Sequence, residues 1–181
     1  MHGVAKIAAS AVICTTLALT STARAADVAL ADLQAATRSL GFLDSLLNRS
    51  TISIGVVYSA GVRDGKNSAA QAAGALAAMR GPGSSTIRAS IVAVDELAQN
   101  AQHFDVLYVM PGVAANGAQV ADAVRRQHIV SVSSDPACLD AKYCVLMVQA
   151  GSSVNIVLDT ALANAAGAQF SSVFAMMVKR R

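Results

Sequence analysis

The sequence predicts a single compact α/β domain, with a mainly parallel sheet flanked by helices and an antiparallel hairpin near the C-terminus. Two observations support this fold class. Short runs of β-branched and aliphatic residues alternate with alanine-rich stretches of helical periodicity, which is typical of parallel strands joined by right-handed crossovers. Towards the end of the chain, two strand-like runs are separated only by Ala150-Gly151-Ser152, which favours a hairpin.

The first 25 residues have the pattern of a cleavable secretory signal peptide. Lys6 supplies a positive charge, residues 7–19 are mostly apolar, and Ala23-Arg24-Ala25 fits the motif that signal peptidase recognises. The apolar stretch is too short to cross a bilayer core of about 30 Å, which requires about 20 residues. We therefore expect cleavage after this segment, so that residues 26–181 form the mature domain outside the cytoplasm.

Removal of the signal peptide changes the charge balance. Of the 14 Lys and Arg residues, Lys6 and Arg24 leave with it, so 12 remain against 11 Asp and Glu residues. This balance does not indicate a nucleic-acid-binding surface, and we expect the terminal Lys179-Arg180-Arg181 to be a solvated tail. No later segment has 18 consecutive apolar residues, so no further membrane-spanning helix is predicted.

The first half of the chain gives three clear elements. Leucine spacing predicts a helix over residues 29–47, which Gly41 could interrupt. Thr51–Tyr58 is a β-branched run typical of a buried strand, and the alanine-rich residues 68–79 predict a second helix.

The same alternation continues along the second half of the chain. Further strands are predicted at residues 86–94, 105–110, 128–133, 144–149 and 153–158, and further helices at 95–101, 116–127 and 159–166. Residues 170–178 fit either a terminal helix or a strand.

One segment, residues 61–67, lies between a strand and a helix as a phosphate-binding loop would. Only three residues separate its two glycines, and Asn67 stands where such a loop needs a hydroxyl group for Mg²⁺. We therefore interpret the segment as a turn in which Asn67 or Ser68 caps the following helix.

Candidate catalytic side chains are few. His103 and His128 could act in principle, but no nucleophile or carboxylate stands at a recognised spacing from either. The sequence lacks the motifs of serine hydrolases, zinc proteases and thioredoxin-like proteins. We therefore expect no catalytic residue, no cofactor and no metal site.

A polar cluster follows the strand predicted at residues 128–133. It consists of Ser131, Ser133, Ser134 and Asp135. The carboxyl ends of strands are where α/β proteins place ligand sites. The Asp135-Pro136 pair equally fits an ordinary turn, which we favour.

The cysteines indicate a disulfide. Cys14 lies in the signal peptide, which leaves Cys138 and Cys144 as a pair in a compartment that permits oxidation. Closing so short a loop would remove unfolded-state entropy equivalent to about 2 kcal/mol. Two reduced, buried thiols are the alternative, and a metal site is less favoured because neither His103 nor His128 is near in sequence.

From about Phe104 onward, the chain resembles the YfiR/HmsC family of periplasmic proteins. The segments that carry the resemblance are DVLYVMPG at residues 105–112, IVSVSSDPACLDAKYCVLMV at 129–148, and VNIVLDTALANAAGAQFSSVFAMMV at 154–178, with Ala165-Ala166-Gly167 and Ser171-Ser172 at the positions typical of the family. The first half matches only in the order of its elements. The aromatic-rich N-terminal helix of the family is missing, and Asp159 replaces a common Asn.

The resemblance implies a non-enzymatic periplasmic regulator. Such a protein binds the sensing domain of an inner-membrane diguanylate cyclase and restrains it, which keeps cyclic-di-GMP and biofilm formation low. The resemblance also implies that Cys138 and Cys144 occupy a position where some members carry a disulfide, as a structural link or a redox switch, and it suggests a homodimer.

Two other classes of protein stay open as alternatives. One is a small periplasmic solute-binding protein of ABC-transporter type, for which about 155 residues provide one lobe of the usual two. The other is a secreted enzyme, which the missing active-site motif disfavours.

Overall fold

The computed structural model describes residues 28–181, and the predicted signal peptide lies outside the described residues. The strands in chain order are β1 (Thr51–Tyr58), β2 (Thr86–Ala93), β3 (Val106–Val109), β4 (Val130–Ser133), β5 (Leu146–Ala150), β6 (Val154–Leu158) and β7 (Lys179–Arg180). Within the described range they form one sheet in the order β2-β1-β3-β4-β5-β6-β7.

Helices precede, connect and follow these strands. They are α1 (Leu30–Ser39), α2 (Gly65–Ala77), α3 (Leu97–Asn100), α4 (Gly117–Gln127), α5 (Ala137–Asp140), α6 (Thr160–Ala165) and α7 (Ser172–Met177). None of the helices that the structure describes is long and apolar enough to cross a membrane.

The order in which strands are added to the sheet changes direction at β1. The first five strands are parallel, with β2 on one side of β1 and with β3, β4 and β5 following in turn on the other side. Because parallel crossovers are right-handed, α2 lies on one face of the sheet and α3 and α4 lie on the other. Helix α1 packs against α2 and β5, and α3 packs against α4. These three layers confirm the predicted fold class.

The central strands form the core of the domain. In β1, Ile52, Ile54, Val56 and Val57 are all buried, as expected for a parallel strand covered on both faces. Every residue of β3 and β4 is also buried. The β-branched and apolar runs of β1 and β3 explain why these two strands could be located from the sequence.

The first helix is shorter than predicted. It ends at Ser39, and two 3₁₀ turns follow at Leu40–Phe42 and Asp44–Leu46. The buried leucines from position 40 to position 46 are spaced by three residues, which matches the 3.0 residues per turn of a 3₁₀ helix. A backbone bond from Asp44 N–H to Gln169 O ties this segment to the C-terminal part of the chain.

The C-terminal region is antiparallel to the rest of the sheet. Strands β5 and β6 form the predicted hairpin, and residues 172–177 are helical. The expectation of a solvated tail at Lys179-Arg180-Arg181 is wrong, because β7 pairs with Val157 and Leu158 of β6. The backbone N–H of Arg181 also donates to Leu158 O at 3.0 Å.

Candidate interaction surface

The carboxyl ends of β1, β3 and β4 meet at the point where the strand order reverses, which is the usual ligand site of such sheets. The structure places the predicted polar cluster at the end of β4 beside this point. Each of its side chains, however, is hydrogen-bonded within the protein. The cluster therefore has a structural explanation.

The two buried serines of β4 tie neighbouring strands together. Ser131 Oγ donates to Tyr143 O at 2.7 Å and accepts from Val145 N–H at 3.1 Å. Ser133 Oγ donates to Val109 O at 2.8 Å. Ser131 thus satisfies backbone groups just before β5, and Ser133 satisfies the carbonyl group at the end of β3, so both hydroxyl groups stabilise the sheet.

The remaining two members of the cluster form a turn. Ser134 Oγ accepts from the Tyr108 hydroxyl group at 3.3 Å. The Asp135 carboxylate accepts from Ala137 N–H at 3.0 Å and from Gly112 N–H at 3.3 Å. The predicted Asp135-Pro136 turn is confirmed, and its carboxylate stabilises the loops after β3 and β4.

Two tyrosines, Tyr108 and Tyr143, are buried near this cluster. Burial raises the pKa of the Tyr108 phenol, against the smaller opposing effect of the Ser134 hydrogen bond. Burial also raises the pKa of Tyr143, with a further contribution from the negative charge of Asp135. Both phenols therefore stay protonated at ordinary pH, and neither is poised as a base.

The segment at residues 61–67 forms a turn as predicted, but its cap was placed wrongly. Helix α2 begins at Gly65, after Asp64 in the left-handed conformation at φ 59°. Residues Asn67 and Ser68 lie inside the first turn. A Cβ atom at position 65 would stand 3.0 Å from Ser59 O, so glycine lets the helix begin this close to the end of β1.

The two histidines lie apart from the polar cluster in the structure. His103 ends a 3₁₀ turn before β3, and His128 follows α4 in the left-handed conformation at φ 53°. Among residues 28–181, no group of three or more His, Cys, Asp or Glu side chains is arranged to hold a metal ion.

Cys138 and Cys144 are joined by a disulfide, with their Cα atoms 5.5 Å apart. Both residues are buried. The bond closes a ring around the end of α5 and the turn before β5, and the ring includes the buried Tyr143. Its position in the core favours a structural role, because a buried bond is shielded from thiols in solution.

The most unusual surface lies near the C-terminus, and we name it the C-terminal apolar face. It consists of Val154, Val173, Met176 and Met177, which are 55%, 55%, 77% and 64% exposed. Met176 and Met177 follow Val173 by three and four positions and so lie on the same side of α7 as Val173. Exposed apolar patches of this kind mark interaction sites in folded proteins.

A groove of about 270 Å³ runs beside this face, between α1, β6 and α7. Its inner wall includes Phe42 and Phe174, whose rings stack at 4.9 Å between centroids. Arg38 is the one charged residue in its lining. The groove is thus mostly apolar, with a single positive side chain.

The backbone of β6 adds to this surface. Asp159 N–H donates to Val145 O at 2.9 Å, and with the observed register this directs the backbone groups of Val154 and Ile156 away from β5. In the part of the chain that the structure describes, β7 pairs only with Val157 and Leu158. The pairing of Val157 with Lys179 uses the carbonyl oxygen of Ile156, so the open strand edge beside the groove consists of the backbone groups of Val154 and the N–H of Ile156.

This surface was not predicted from the sequence. The apolar run at residues 170–178 was interpreted only as a terminal helix or a strand, and in the structure only Phe174 of α7 is fully buried. Only one of the six residues of this helix is buried, and no pattern in the sequence indicates this. Periodicity cannot separate an inward face from an outward one when the helix is this short.

Comparison with solved structures shows a shared fold at low sequence identity. The ABC domain in complex with L-Trp from Streptococcus pneumoniae is 12% identical, with a TM-score of 0.58, over 83% of this chain and 61% of that one. A conserved domain protein from Vibrio cholerae O1 biovar El Tor is 14% identical, with a TM-score of 0.59, over 82% and 59%.

A substrate-binding protein with adhesive properties from Clostridium difficile, in its ligand-free open form, gives a similar result. It is 13% identical, with a TM-score of 0.58, over 80% of this chain and 58% of that one. The chain thus spans about three fifths of the length of these structures. At these identities the likeness shows the fold alone.

Comparison with curated protein sequences finds no significant match. A family model described as YfiR/HmsC-like (DUF4154) matches residues 48–177, which includes every strand except β7. The match extends into the first half of the chain, where the sequence resemblance had been weak. The chain therefore belongs to the YfiR/HmsC-like family, whose members are periplasmic, non-catalytic regulators in cyclic-di-GMP signalling.

Proposed function

We propose that this protein binds the periplasmic sensing domain of an inner-membrane diguanylate cyclase and holds the cyclase inactive. The single observation that carries the proposal is the C-terminal apolar face, where four large apolar side chains are at least half exposed. Family membership supplies the type of partner, and the surface supplies a means of contact with it.

The chemistry of this surface suits protein recognition. Methionine side chains adapt to irregular partner surfaces, and interfaces are enriched in them. The open strand edge at Val154 and Ile156 can accept an extended segment of the partner through backbone hydrogen bonds. The positive charge of Arg38 in the groove favours a partner segment that carries an acidic residue beside its apolar ones.

Residues 1–25 are proposed to act as a signal peptide that exports the protein to the periplasm. The mass of the secreted protein tests this directly. A mature N-terminus at Ala26 is expected, and a secreted protein that retains residues 1–25 would contradict the cleavage.

A solute-binding function of ABC-transporter type is supported less well. Its only support is the shared fold, since the carboxyl ends of the strands are occupied by internal hydrogen bonds such as that between Tyr108 and Ser134. A homodimer remains a proposal that the size of the purified mature protein in solution would test.

The decisive experiment is deletion of the gene followed by measurement of cyclic-di-GMP. Loss of the protein should raise cyclic-di-GMP, and complementation with the wild-type gene should restore the lower level. If the level is unchanged while the suspected cyclase is present and expressed, the proposal is wrong.

Two variants test whether the effect on cyclic-di-GMP depends on the C-terminal apolar face. Met176→Lys should fail to complement and should weaken binding to the purified sensing domain by about tenfold or more, as expected for a central interface residue. Leu30→Lys is the matched control, because Leu30 is also a large exposed apolar residue, at 57%, but begins α1 at the end far from Arg38. Equal binding by both variants would exclude the C-terminal apolar face.

A further inference from the structure

A second cavity, of about 330 Å³, lies on a different part of the surface from the C-terminal apolar face. Its lining includes Arg125, Lys142, Asp159 and Arg181, and α6 forms the remaining wall. We propose that this cavity binds a phosphate group. The proposal is separate from the binding of a cyclase and does not depend on it.

Three cations from three separate segments meet at this cavity. Arg125 is in the last turn of α4, Lys142 is inside the disulfide-closed ring, and Arg181 follows β7. Positive side chains repel one another; Asp159 in the lining, Asp122 beside Arg125 and Asp140 beside Arg181 offset part of this repulsion, and an anion in the cavity would offset the rest. The arrangement therefore indicates a ligand with negative oxygen atoms.

Arg181 is held in position by its own backbone. Its N–H donates to Leu158 O at 3.0 Å, and its carbonyl oxygen accepts from the Thr160 N–H at 3.1 Å and the Thr160 hydroxyl at 2.7 Å. The guanidinium then contacts Asp140 at 3.3 Å. The backbone of Arg181 is thus fixed, and its guanidinium keeps N–H groups that are free to bind a ligand beside the exposed contact with Asp140.

Lys142 is held in an unfavourable backbone conformation. Its φ is 53°, the left-handed region in which glycine and asparagine are favoured over lysine. The disulfide between Cys138 and Cys144 closes the ring that contains it. Within residues 28–181, its ammonium group makes no ion pair, so its charge is available to a ligand.

Acidic groups near the cavity do not cancel this charge. Asp159 is buried, and one of its carboxylate oxygens accepts from Leu162 N–H at 2.8 Å as the cap of α6. The Asp122 carboxylate is shared between two arginines. It lies 3.2 Å from the guanidinium of Arg126 and 3.7 Å from that of Arg125, so it pairs more closely with Arg126. Asp140 contacts Arg181 but is 88% exposed, so water screens that pair.

The number of cationic side chains favours a phosphate group over a single carboxylate. The lining carries three positive side chains against one negative, and Lys142 is the one of the three without an acidic partner among the described residues, since Arg125 pairs with Asp122 and Arg181 with Asp140. A phosphate monoester carries nearly two negative charges at neutral pH, and arginine binds its oxygen atoms with paired N–H donors. The group could belong to a free phosphorylated solute or to the headgroup of an anionic lipid.

The test is titration of the mature protein with inorganic phosphate, followed by calorimetry. Saturable binding is expected, and Lys142→Asn should weaken it about tenfold, the effect of one charged hydrogen bond. Asparagine accepts the left-handed conformation, so this variant should fold at least as stably as the wild type. Arg126→Gln is the matched control, since it removes a cation from the same turn of α4 outside the cavity.

Vesicles distinguish the two sources of the phosphate group. Binding to vesicles that contain phosphatidic acid, whose headgroup is a phosphate monoester, but not to phosphatidylcholine vesicles, with loss in Lys142→Asn would assign a lipid headgroup. Saturable binding of phosphate without vesicle binding would assign a free solute. If phosphate does not saturate the protein, or if Arg126→Gln weakens binding as much as Lys142→Asn, the proposed site is wrong.

Discussion

The carboxylate of Asp32 accepts a hydrogen bond from the backbone N–H of Ala150 at 2.6 Å. Asp32 lies in the first turn of α1, and Ala150 is the last residue of β5. The two residues are 118 positions apart in sequence. This bond fixes the first helix to the strand that begins the C-terminal hairpin, on the side of the sheet where α1 and α2 pack.

Asp32→Ala is therefore expected to destabilise the protein by about 1–3 kcal/mol, because it leaves a part-buried N–H group without its charged acceptor. Urea denaturation of the mature protein measures the change. Asp32→Asn keeps an oxygen acceptor and should cost less. Equal losses in the two variants would mean that the negative charge, and not the hydrogen bond, is what matters.

Two helical glycines make a matched pair with opposite expected effects. A Cβ atom at Gly117 would lie 2.6 Å from a ring carbon of Tyr143, whereas a Cβ atom at Gly74 would meet nothing within 4 Å. Gly117→Ala should cost about 1–3 kcal/mol through overpacking. Gly74→Ala should instead stabilise α2 by about 0.5–1 kcal/mol. Thermal unfolding of both variants checks this, and stabilisation of both would contradict the close packing of α4 on Tyr143.

Most of the sheet could be predicted from the sequence. The β-branched and apolar runs of β1 and β3 located these strands closely, because a strand buried on both faces needs no alternation. Strand β4, with the sequence VSVS, was found although two of its four buried residues are serines. The hairpin followed from Ala150-Gly151-Ser152, and the helix predicted at residues 159–166 is α6, which Asp159 caps by accepting from Leu162 N–H.

The remaining features depend on contacts that are distant in sequence. Strand β7 has only two residues and exists because β6 offers it an edge, so no local pattern identifies it. The early end of α1 depends on bonds to residues near position 170. The C-terminal apolar face could not be predicted either, since exposure is a property of the packed structure.

The disulfide should contribute measurably to stability. Replacement of both Cys138 and Cys144 by alanine is expected to lower the free energy of unfolding by about 2 kcal/mol, the entropy of closing so short a loop. Urea denaturation with and without a reductant measures this, and the reductant should have no effect on the double variant. Mass spectrometry of the denatured, unreduced protein gives an independent check, because two alkylatable thiols would show that the bond is absent in the periplasm.

The two buried tyrosines should respond differently to loss of the hydroxyl group. Tyr108 OH donates to Ser134 at 3.3 Å, whereas Tyr143 OH is buried with no hydrogen-bond partner among the described residues. Tyr108→Phe should therefore cost about 0.5–1.5 kcal/mol. Tyr143→Phe should be neutral or stabilising, because the variant removes an unsatisfied polar group. A large loss in Tyr143→Phe would indicate a partner for this hydroxyl group.

The same tyrosines predict how stability depends on pH. Burial raises the pKa of both phenols above the usual value of about 10. The unfolded chain therefore loses these protons first, so stability is complete below about pH 10 and falls as the pH rises further. Urea midpoints measured from pH 8 to pH 11 should show this decline. The decline should be smaller in Tyr143→Phe and smallest in the double phenylalanine variant, and an unchanged slope in both would mean that other groups cause the alkaline loss.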